Sequence, residues 1–208
     1  MVAHYLLANT IVFLTENSNP SIYNNVWFAN NNIFQFNEIL QDSVFSNHYV
    51  NIVTTELSIT IVPTNITIDL KKPNNAENLI EKHIRPFLSK IYQTVRAIGI
   101  NFIWKVCDEE RDIYTLSKDL FGGGNTCLSS VFMKDDVTFG SYMSQSYDDA
   151  IRMKLDVKPV RFTDIETGMI ASFNFHYNMS SNQELNISQL EKWSEISKKA
   201  EEIVCLMK

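Results

Sequence analysis

The sequence predicts an α+β domain in which helices pack on a largely antiparallel sheet of about eight strands. Three observations lead to this fold class. Runs of alternating apolar and polar residues, which are typical of strands with one buried face, recur along much of the chain. A long amphipathic stretch lies near the middle, and a second one lies at the carboxyl end. The segments do not alternate strictly as strand and helix, so a doubly wound parallel sheet is not expected.

The clearest strand pattern lies between residues 48 and 70. An apolar and β-branched run begins at His48 and is predicted to be one strand that ends at Val62. Residues 63–65 then interrupt the pattern with turn chemistry, and a second alternating run follows. Alternation on both sides of so short a turn predicts an antiparallel hairpin with one buried face. That face consists of Leu57, Ile59, Ile61, Ile66, Ile68 and Leu70.

A long central helix is predicted over residues 76–96. Its apolar residues recur mostly at intervals of three and four, which is the spacing of one helical face. Pro86 lies within the stripe and should kink the helix near Arg85, because proline lacks the N–H and crowds the preceding turn. The stripe consists of Ile80, Ile84, Phe87, Leu88, Ile91 and Val95.

Five further segments have strand-like patterns. Residues 2–14 are almost continuously apolar, which predicts a strand covered on both faces. Residues 26–36 place two short apolar runs around three asparagines, which predicts a second hairpin. Residues 98–107 alternate cleanly, as do 151–157 and 171–177, and each should present one face to the core.

The remaining elements include a short helix and a C-terminal helix. The acidic run 108–112 suits a helix start, and Gly122–Gly124 would end that helix. Residues 127–133 and 137–146 are predicted to be strands. Residues 188–191 have the pattern of a capping box ahead of the last helix.

The length of 208 residues suits a single domain spanning 1–208, or one domain of two similar halves that meet near 108–125. No apolar run approaches the roughly 18–20 residues of a membrane helix, and the amino-terminal residues do not resemble a secretion signal. We therefore expect a cytoplasmic protein that does not enter the membrane. Cys107, Cys127 and Cys205 are odd in number and far apart, so free thiols are expected rather than disulfides or a zinc site.

The order of hairpin, amphipathic helix and aromatic strand carries a resemblance to a known group. Thr55-Glu56-Leu57-Ser58 and Gly99-Ile100-Asn101-Phe102 are its motifs. Over residues 48–178 the chain resembles a sporadically distributed family of uncharacterised bacterial α+β proteins. The resemblance implies the fold and a bacterial or phage origin. It implies no activity and no site residues.

No motif predicts catalytic residues, a cofactor or a metal. Gly122–Gly124 could cradle an anion through backbone amides, but the run lacks the lysine of a P-loop and is simply explained as a helix stop. Cys127 as a nucleophile would need His83 or His176 within hydrogen-bond reach, and no local spacing supports that. The acidic run 108–112 lacks the spaced oxygen ligands of a calcium loop.

Charge and the lack of a recognisable site favour a non-catalytic protein-interaction module, such as an adaptor, a regulator or a small subunit of a bacterial or phage assembly. The net charge is −6, with 18 basic residues against 24 acidic ones, so nucleic-acid binding is not expected. A protein partner or self-association is expected instead, through exposed sheet edges. The best local basic group is a possible partner-docking strip of Arg152, Lys154, Lys158 and Arg161.

Two alternatives remain open at this point. One is a ligand-binding cup, in which a curved sheet closes around the C-terminal helix and leaves an apolar pocket. The other is an enzyme whose site the sequence does not reveal. The residues that would line the pocket are Phe102, Trp104, Phe173, Phe175, Tyr177 and Trp193.

Overall fold

A computed structural model describes residues 2–72, 75–91, 94–122, 131–132, 134–163, 166–178 and 190–207. The strands in chain order are β1 (Val2–Thr15), β2 (Val44–Phe45), β3 (Val50–Val53), β4 (Leu57–Val62), β5 (Asn65–Leu70), β6 (Val95–Asp108), β7 (Ser141–Ser146), β8 (Ile151–Arg161) and β9 (Thr167–Asn178). The helices are α1 (Asn25–Asn30), α2 (Ala76–Leu79), α3 (Arg85–Leu88), α4 (Ile113–Phe121) and α5 (Trp193–Val204). A 3-10 turn lies at Pro20–Ile22, and a π-helical turn at Ile80–Ile84 joins α2 to α3.

Within these residues the strands form one nine-stranded sheet in the order β2-β3-β4-β5-β1-β6-β9-β8-β7. Every neighbouring pair is antiparallel. The predicted α+β class with an antiparallel sheet is therefore confirmed, but the sheet has nine strands rather than about eight. One reason is that the run from His48 to Val62 is two strands, because the Thr54 hydroxyl accepts the N–H groups of Glu56 and Leu57 and turns the chain.

The two longest strands, β1 and β6, lie side by side at the centre of the sheet. Their pairing extends from Val2 opposite Asp108 to Thr15 opposite Val95, with irregularities between Leu6 and Ala8 and between Leu14 and Thr15. The order of elements repeats around this pair. Each long strand is followed by a helix, then by a meander of antiparallel strands (β2 to β5 after β1, and β7 to β9 after β6) whose last strand pairs with it, and then by a further helical segment.

All five helices contribute to a single core on one face of the sheet, which we call the covered face. Alternate residues of β4, β5, β6, β8 and β9 are buried there, as the alternating patterns predict. The helices add buried side chains to the same cluster, including Phe28 of α1, Phe87 of α3, Leu116 of α4 and Ile196 of α5. Among the described residues no helix packs on the opposite face, which we call the open face.

The expectation that residues 2–14 are covered on both faces was wrong. Tyr5, Leu7 and Leu14 are 57%, 51% and 44% exposed. The irregularity after Leu6 exchanges the two faces of β1, so that Asn9, Ile11 and Phe13 point into the core beyond it. A bulge of this kind hides the alternation from a sequence pattern, because apolar residues then occupy both parities.

The central helix is shorter than predicted. It ends at Leu88, and Val95 already belongs to β6. Pro86 does disturb the helix at the expected place, since a proline has no N–H for the carbonyl four residues earlier. The chain adapts with the π-helical turn that precedes α3, in which the Arg85 N–H reaches the Ile80 carbonyl.

The hairpin predicted for residues 26–36 is instead helix α1 and the loop that follows it. The Asn24 side chain accepts the Trp27 N–H at 2.8 Å and starts the helix. Asn32, at φ 57°, ends it with a Schellman motif, in which the Ile33 N–H bonds the Phe28 carbonyl. The left-handed geometry expected of these asparagines is present at Asn32, but the turn there ends a helix and does not join two strands.

Helix α4 agrees with its pattern, whereas β7 covers only 141–146 of the strand predicted at 137–146, and residues 131–132, also predicted to be strand, belong to none. Asp112 caps α4 by accepting the Thr115 N–H at 2.7 Å, and Gly122 closes its carboxyl end. Helix α5 begins at Trp193, after the predicted capping box at 188–191, of which residues 188 and 189 lie outside the described residues, as does most of the strand predicted at 127–133. In the described part of the chain, no helix has the length and apolarity to cross a lipid bilayer.

The packing of the central helix can be tested with two isoleucines. Ile84 is fully buried, whereas Ile91 lies beyond the end of α3 and is only partly buried. Ile84→Ala should therefore lower the free energy of unfolding by about 2–5 kcal/mol, because it leaves a cavity in the core. Ile91→Ala is the matched control and should cost clearly less. Equal losses in urea denaturation, or a loss at Ile84 below about 0.5 kcal/mol, would contradict this packing.

Candidate interaction surface

The open face carries a row of polar side chains that crosses seven strands. Residues directly opposite each other on neighbouring strands share a face, and the strand registers align one such residue per strand from β4 to β7. We call this set the polar row. It consists of Ser58, Asp69, Thr10, Asn101, Asn174, Lys154 and Ser144.

Hydrogen bonds tie the middle of the polar row together. The Asn174 amide donates to the Asn101 side-chain oxygen at 2.7 Å, and the Asn101 amide donates to the Thr10 hydroxyl at 3.2 Å. Gly99 makes room for this ladder, since a Cβ at that position would lie 3.2 Å from the Asn174 amide nitrogen. The ladder links β1, β6 and β9 through side chains as well as through the main chain.

Asp69 is the one acid of the polar row. It lies opposite Ser58 on one side and Thr10 on the other. Burial raises its pKa above the usual range of an aspartate, and nearby Lys71 only partly opposes the shift. Within the described residues no hydrogen bond or ion pair holds its carboxylate. Asp69 is therefore a half-buried carboxyl group that is free to meet a donor from outside.

The predicted docking strip divides between the two faces. Arg152, Lys154 and Lys158 lie on the open face of β8, opposite His176, Asn174 and Ile170 of β9. Arg161, at the end of the strand, instead lines a cleft beside the start of α4, together with Asp112 and Tyr114.

The three cations on the open face differ in their contacts. The Arg152 guanidinium donates to the Ser144 hydroxyl at 2.8 Å and so reaches over β7, while Lys158 pairs with Asp156 at 2.6 Å. No partner within the described residues holds Lys154. The open face beside β7 therefore carries two positive charges that no described acid neutralises.

Strand β7 forms one edge of the sheet. The Tyr147 N–H bonds the Ile151 carbonyl at 2.8 Å, which fixes the alternation of the ladder. Residues 141, 143 and 145 consequently bond to β8, whereas the N–H and C=O groups of Tyr142, Ser144 and Ser146 point away from the sheet. Among the described residues no strand pairs with this side. Tyr142 and Met143 are 65% and 48% exposed.

A cleft lies along the same edge, toward the covered face. It has a volume of about 450 Å³, and its apolar lining comes from Met143 of β7, from Met153 and Leu155 of β8, and from Ile203 of α5. Met153 and Leu155 are themselves nearly buried. The cleft is therefore an apolar groove between the edge strand and the last helix.

The six aromatic residues predicted to line a pocket lie in the core, each at most 7% exposed. They contact one another: the Phe102 ring lies 6.2 Å from that of Phe175 and 6.0 Å from that of Trp193, and Phe173 stacks on Phe175 at 6.3 Å. Clefts beside α4, beside Phe34 and along β7 are lined by other side chains.

The other candidate residues from the sequence make contacts that the fold explains. His83 is buried, stacks on Phe34 at 4.8 Å and contacts the Ile33 carbonyl through Nδ1 at 2.7 Å. His176 lies on the open face, where Nε2 contacts the Asn178 side chain at 2.9 Å. Gly122 is a helix stop, as expected, while Gly123, Gly124 and Cys127 lie outside the described residues.

The acidic run also has a structural explanation. Asp108 accepts the Glu110 N–H and an Arg111 N–H, and these bonds lower its pKa to about 2. Asp112 is the cap of α4. Among the described residues no group of three or more potential ligands is placed to hold a metal ion.

One close pair escaped the sequence patterns. His4 of β1 and Cys205, just after α5, lie within hydrogen-bond distance. Because 201 positions separate them, no local spacing could have paired them, and only the fold brings them together.

Comparison of the chain with protein-family models, with curated proteins and with solved structures finds no match.

The cost of keeping Asp69 on the sheet is testable. Its raised pKa means that the folded protein holds this proton more tightly than the unfolded chain, so its ionisation above that pKa destabilises the fold. Asp69→Asn should therefore be more stable than the wild type at neutral pH. The difference should vanish below the ordinary aspartate pKa of about 3.9, where the carboxyl is neutral in both states.

Urea denaturation at several pH values measures this difference, and Asp42→Asn at an exposed position before β2 is the control. A variant at position 69 that is less stable than the wild type at neutral pH would show that the carboxylate has a stabilising partner.

Proposed function

We propose that the protein is a non-catalytic interaction module that captures an extended segment of a partner protein as an added strand on β7. The observation that carries the proposal is the set of outward main-chain groups at Tyr142, Ser144 and Ser146. Such groups are a template for strand addition, in which main-chain hydrogen bonds give affinity and alternate side chains give specificity.

The open face favours acidic side chains on the captured segment. An added strand would place alternate side chains on this face, next to Tyr142 and Ser144. The Arg152 guanidinium already lies over β7, and Lys154 has no counter-charge within the described residues. Glutamate or aspartate at these alternate positions would be attracted to both cations, which supplies direction and specificity.

The covered face favours apolar side chains at the intervening positions. These would point toward the groove formed by Met143, Met153, Leu155 and Ile203. Methionine-lined grooves adapt to apolar side chains of different shape. The preferred segment is therefore about six residues long, matching β7, and alternates between apolar and acidic residues.

A synthetic peptide of alternating valine and glutamate is a suitable probe, and fluorescence anisotropy measures its binding. Ser144→Pro should weaken binding by at least about tenfold, because it removes one outward N–H while leaving the bonds to β8. Ser144→Ala is the matched control, since it removes the hydroxyl that Arg152 contacts but keeps the N–H. Equal binding by the proline variant, or no binding to the wild type, would reject strand addition.

The charge preference has its own test. Lys154→Glu should weaken binding of the glutamate peptide and strengthen binding of the same peptide with lysine in place of glutamate. Lys90→Glu, at an exposed position after α3, controls for net charge. If both substitutions have the same effect, attraction by the whole protein rather than by the open face governs binding.

The three cations of the open face, Arg152, Lys154 and Lys158, also bear on whether the protein binds a nucleic acid. Binding to a duplex needs several phosphate contacts by Lys or Arg, and Lys158 is already paired with Asp156. We therefore infer a protein partner rather than DNA or RNA. Submicromolar binding to a generic duplex at physiological salt, lost in Lys154→Glu, would contradict this inference.

A further inference from the structure

Cys205 and His4 form a contact between the two ends of the described chain. The Cys205 sulfur lies 3.4 Å from Nε2 of His4. Cys205 caps the carboxyl end of α5, where its N–H bonds the Glu201 carbonyl at 2.9 Å. His4 belongs to β1 and lies opposite Val106. Strand pairing and helix packing thus hold the two side chains at hydrogen-bond distance.

The imidazole is supported on one side by the core. Its ring lies 5.9 Å from that of Trp104, a nearly buried residue of β6. Both His4 and Cys205 are half-buried, so the pair is shielded in part but remains open to small molecules. A thiol needs this combination of an adjacent base and access in order to react.

The geometry points to a reactive thiol site, in which His4 accepts the proton of Cys205 and the resulting thiolate attacks small disulfides. The sulfur of Cys205 forms a bond to one sulfur of the disulfide R–S–S–R, and the S–S bond of the reagent breaks. The leaving thiolate takes up the proton held by His4. The products are a mixed disulfide on Cys205 and one free thiol RSH, so the disulfide itself is the oxidant.

Cys205 lies at the carboxyl end of α5, and this position identifies His4, not the helix, as the group that would activate its sulfur. The carboxyl end of a helix carries partial negative charge, which favours a nearby imidazolium and disfavours a thiolate. Helix α5 therefore cannot be the source of a reactive sulfur at Cys205. The base that takes up the thiol proton is therefore the imidazole of His4, and removing it should lower the reactivity of Cys205.

Cys107 provides an internal comparison. It is also half-buried and also free. Burial raises the pKa of its thiol, although Lys105 opposes the shift. Within the described residues no imidazole contacts its sulfur. Because the two thiols are similarly accessible and, among the described residues, only that of Cys205 contacts a histidine, a difference in their reactivity measures the effect of His4.

The experiment measures the rate at which each thiol reacts with dithiodipyridine at neutral pH, resolved by mass spectrometry of peptides. It uses the full chain with Cys127→Ser, so that two thiols remain. Cys205 should react at least about tenfold faster than Cys107, because the His4 imidazole beside its sulfur can take up the thiol proton. His4→Gln, which cannot take up the proton, should abolish that advantage while leaving the rate at Cys107 unchanged.

Equal rates for Cys205 and Cys107 in the parent protein would overturn the proposal without any histidine variant. An undiminished rate at Cys205 in a folded His4→Gln protein, with thermal unfolding as the check on folding, would also overturn it. A loss of reactivity at both cysteines would indicate a general change of structure and would count against the role of His4.

Discussion

The pairing of β1 with β6 is the constraint on which the rest of the sheet depends. Each strand is 14 residues long, and each also pairs with the last strand of its own meander. If this pair were separated, the sheet would fall into two smaller sheets, each with a long unpaired edge. The amide ladder from Thr10 through Asn101 to Asn174 lies across the same junction and adds side-chain hydrogen bonds to it.

The elements with strong periodicity were predictable from the sequence, and those that depend on local exceptions were not. The hairpin of β4 and β5 and the alternation in β6, β8 and β9 follow directly from the binary pattern, because each of these strands buries one face. The pattern of residues 26–36 predicts a hairpin where helix α1 lies, since the six residues of that helix are too few to reveal a period. The exchange of faces in β1 was invisible, because a bulge alters the parity without any marker residue.

The candidate interaction surface was likewise predictable from the sequence only in part. Three of the four cations in the docking strip share a face because alternate positions of one strand must do so. Arg161 is at an odd-numbered position, whereas the other three are at even-numbered ones, so it lies near α4 instead. The polar row could not be foreseen, because it depends on the register between strands far apart in sequence. The contact of His4 with Cys205 belongs to the same class, since it arises from tertiary packing alone.

The two edges of the sheet differ in a way that bears on function. At the β2 edge the loop before β2 already satisfies part of the main chain of β3, because the Ser43 hydroxyl accepts the Val53 N–H and the Leu40 N–H reaches the Val53 carbonyl. Strand β2 itself has only two residues. Such short, covered edges are a common protection against unwanted pairing. Strand β7 has six residues and contains no charge and no proline that would discourage pairing. An edge that lacks these protections, and that lies between two cations and an apolar groove, is suited to receive a strand.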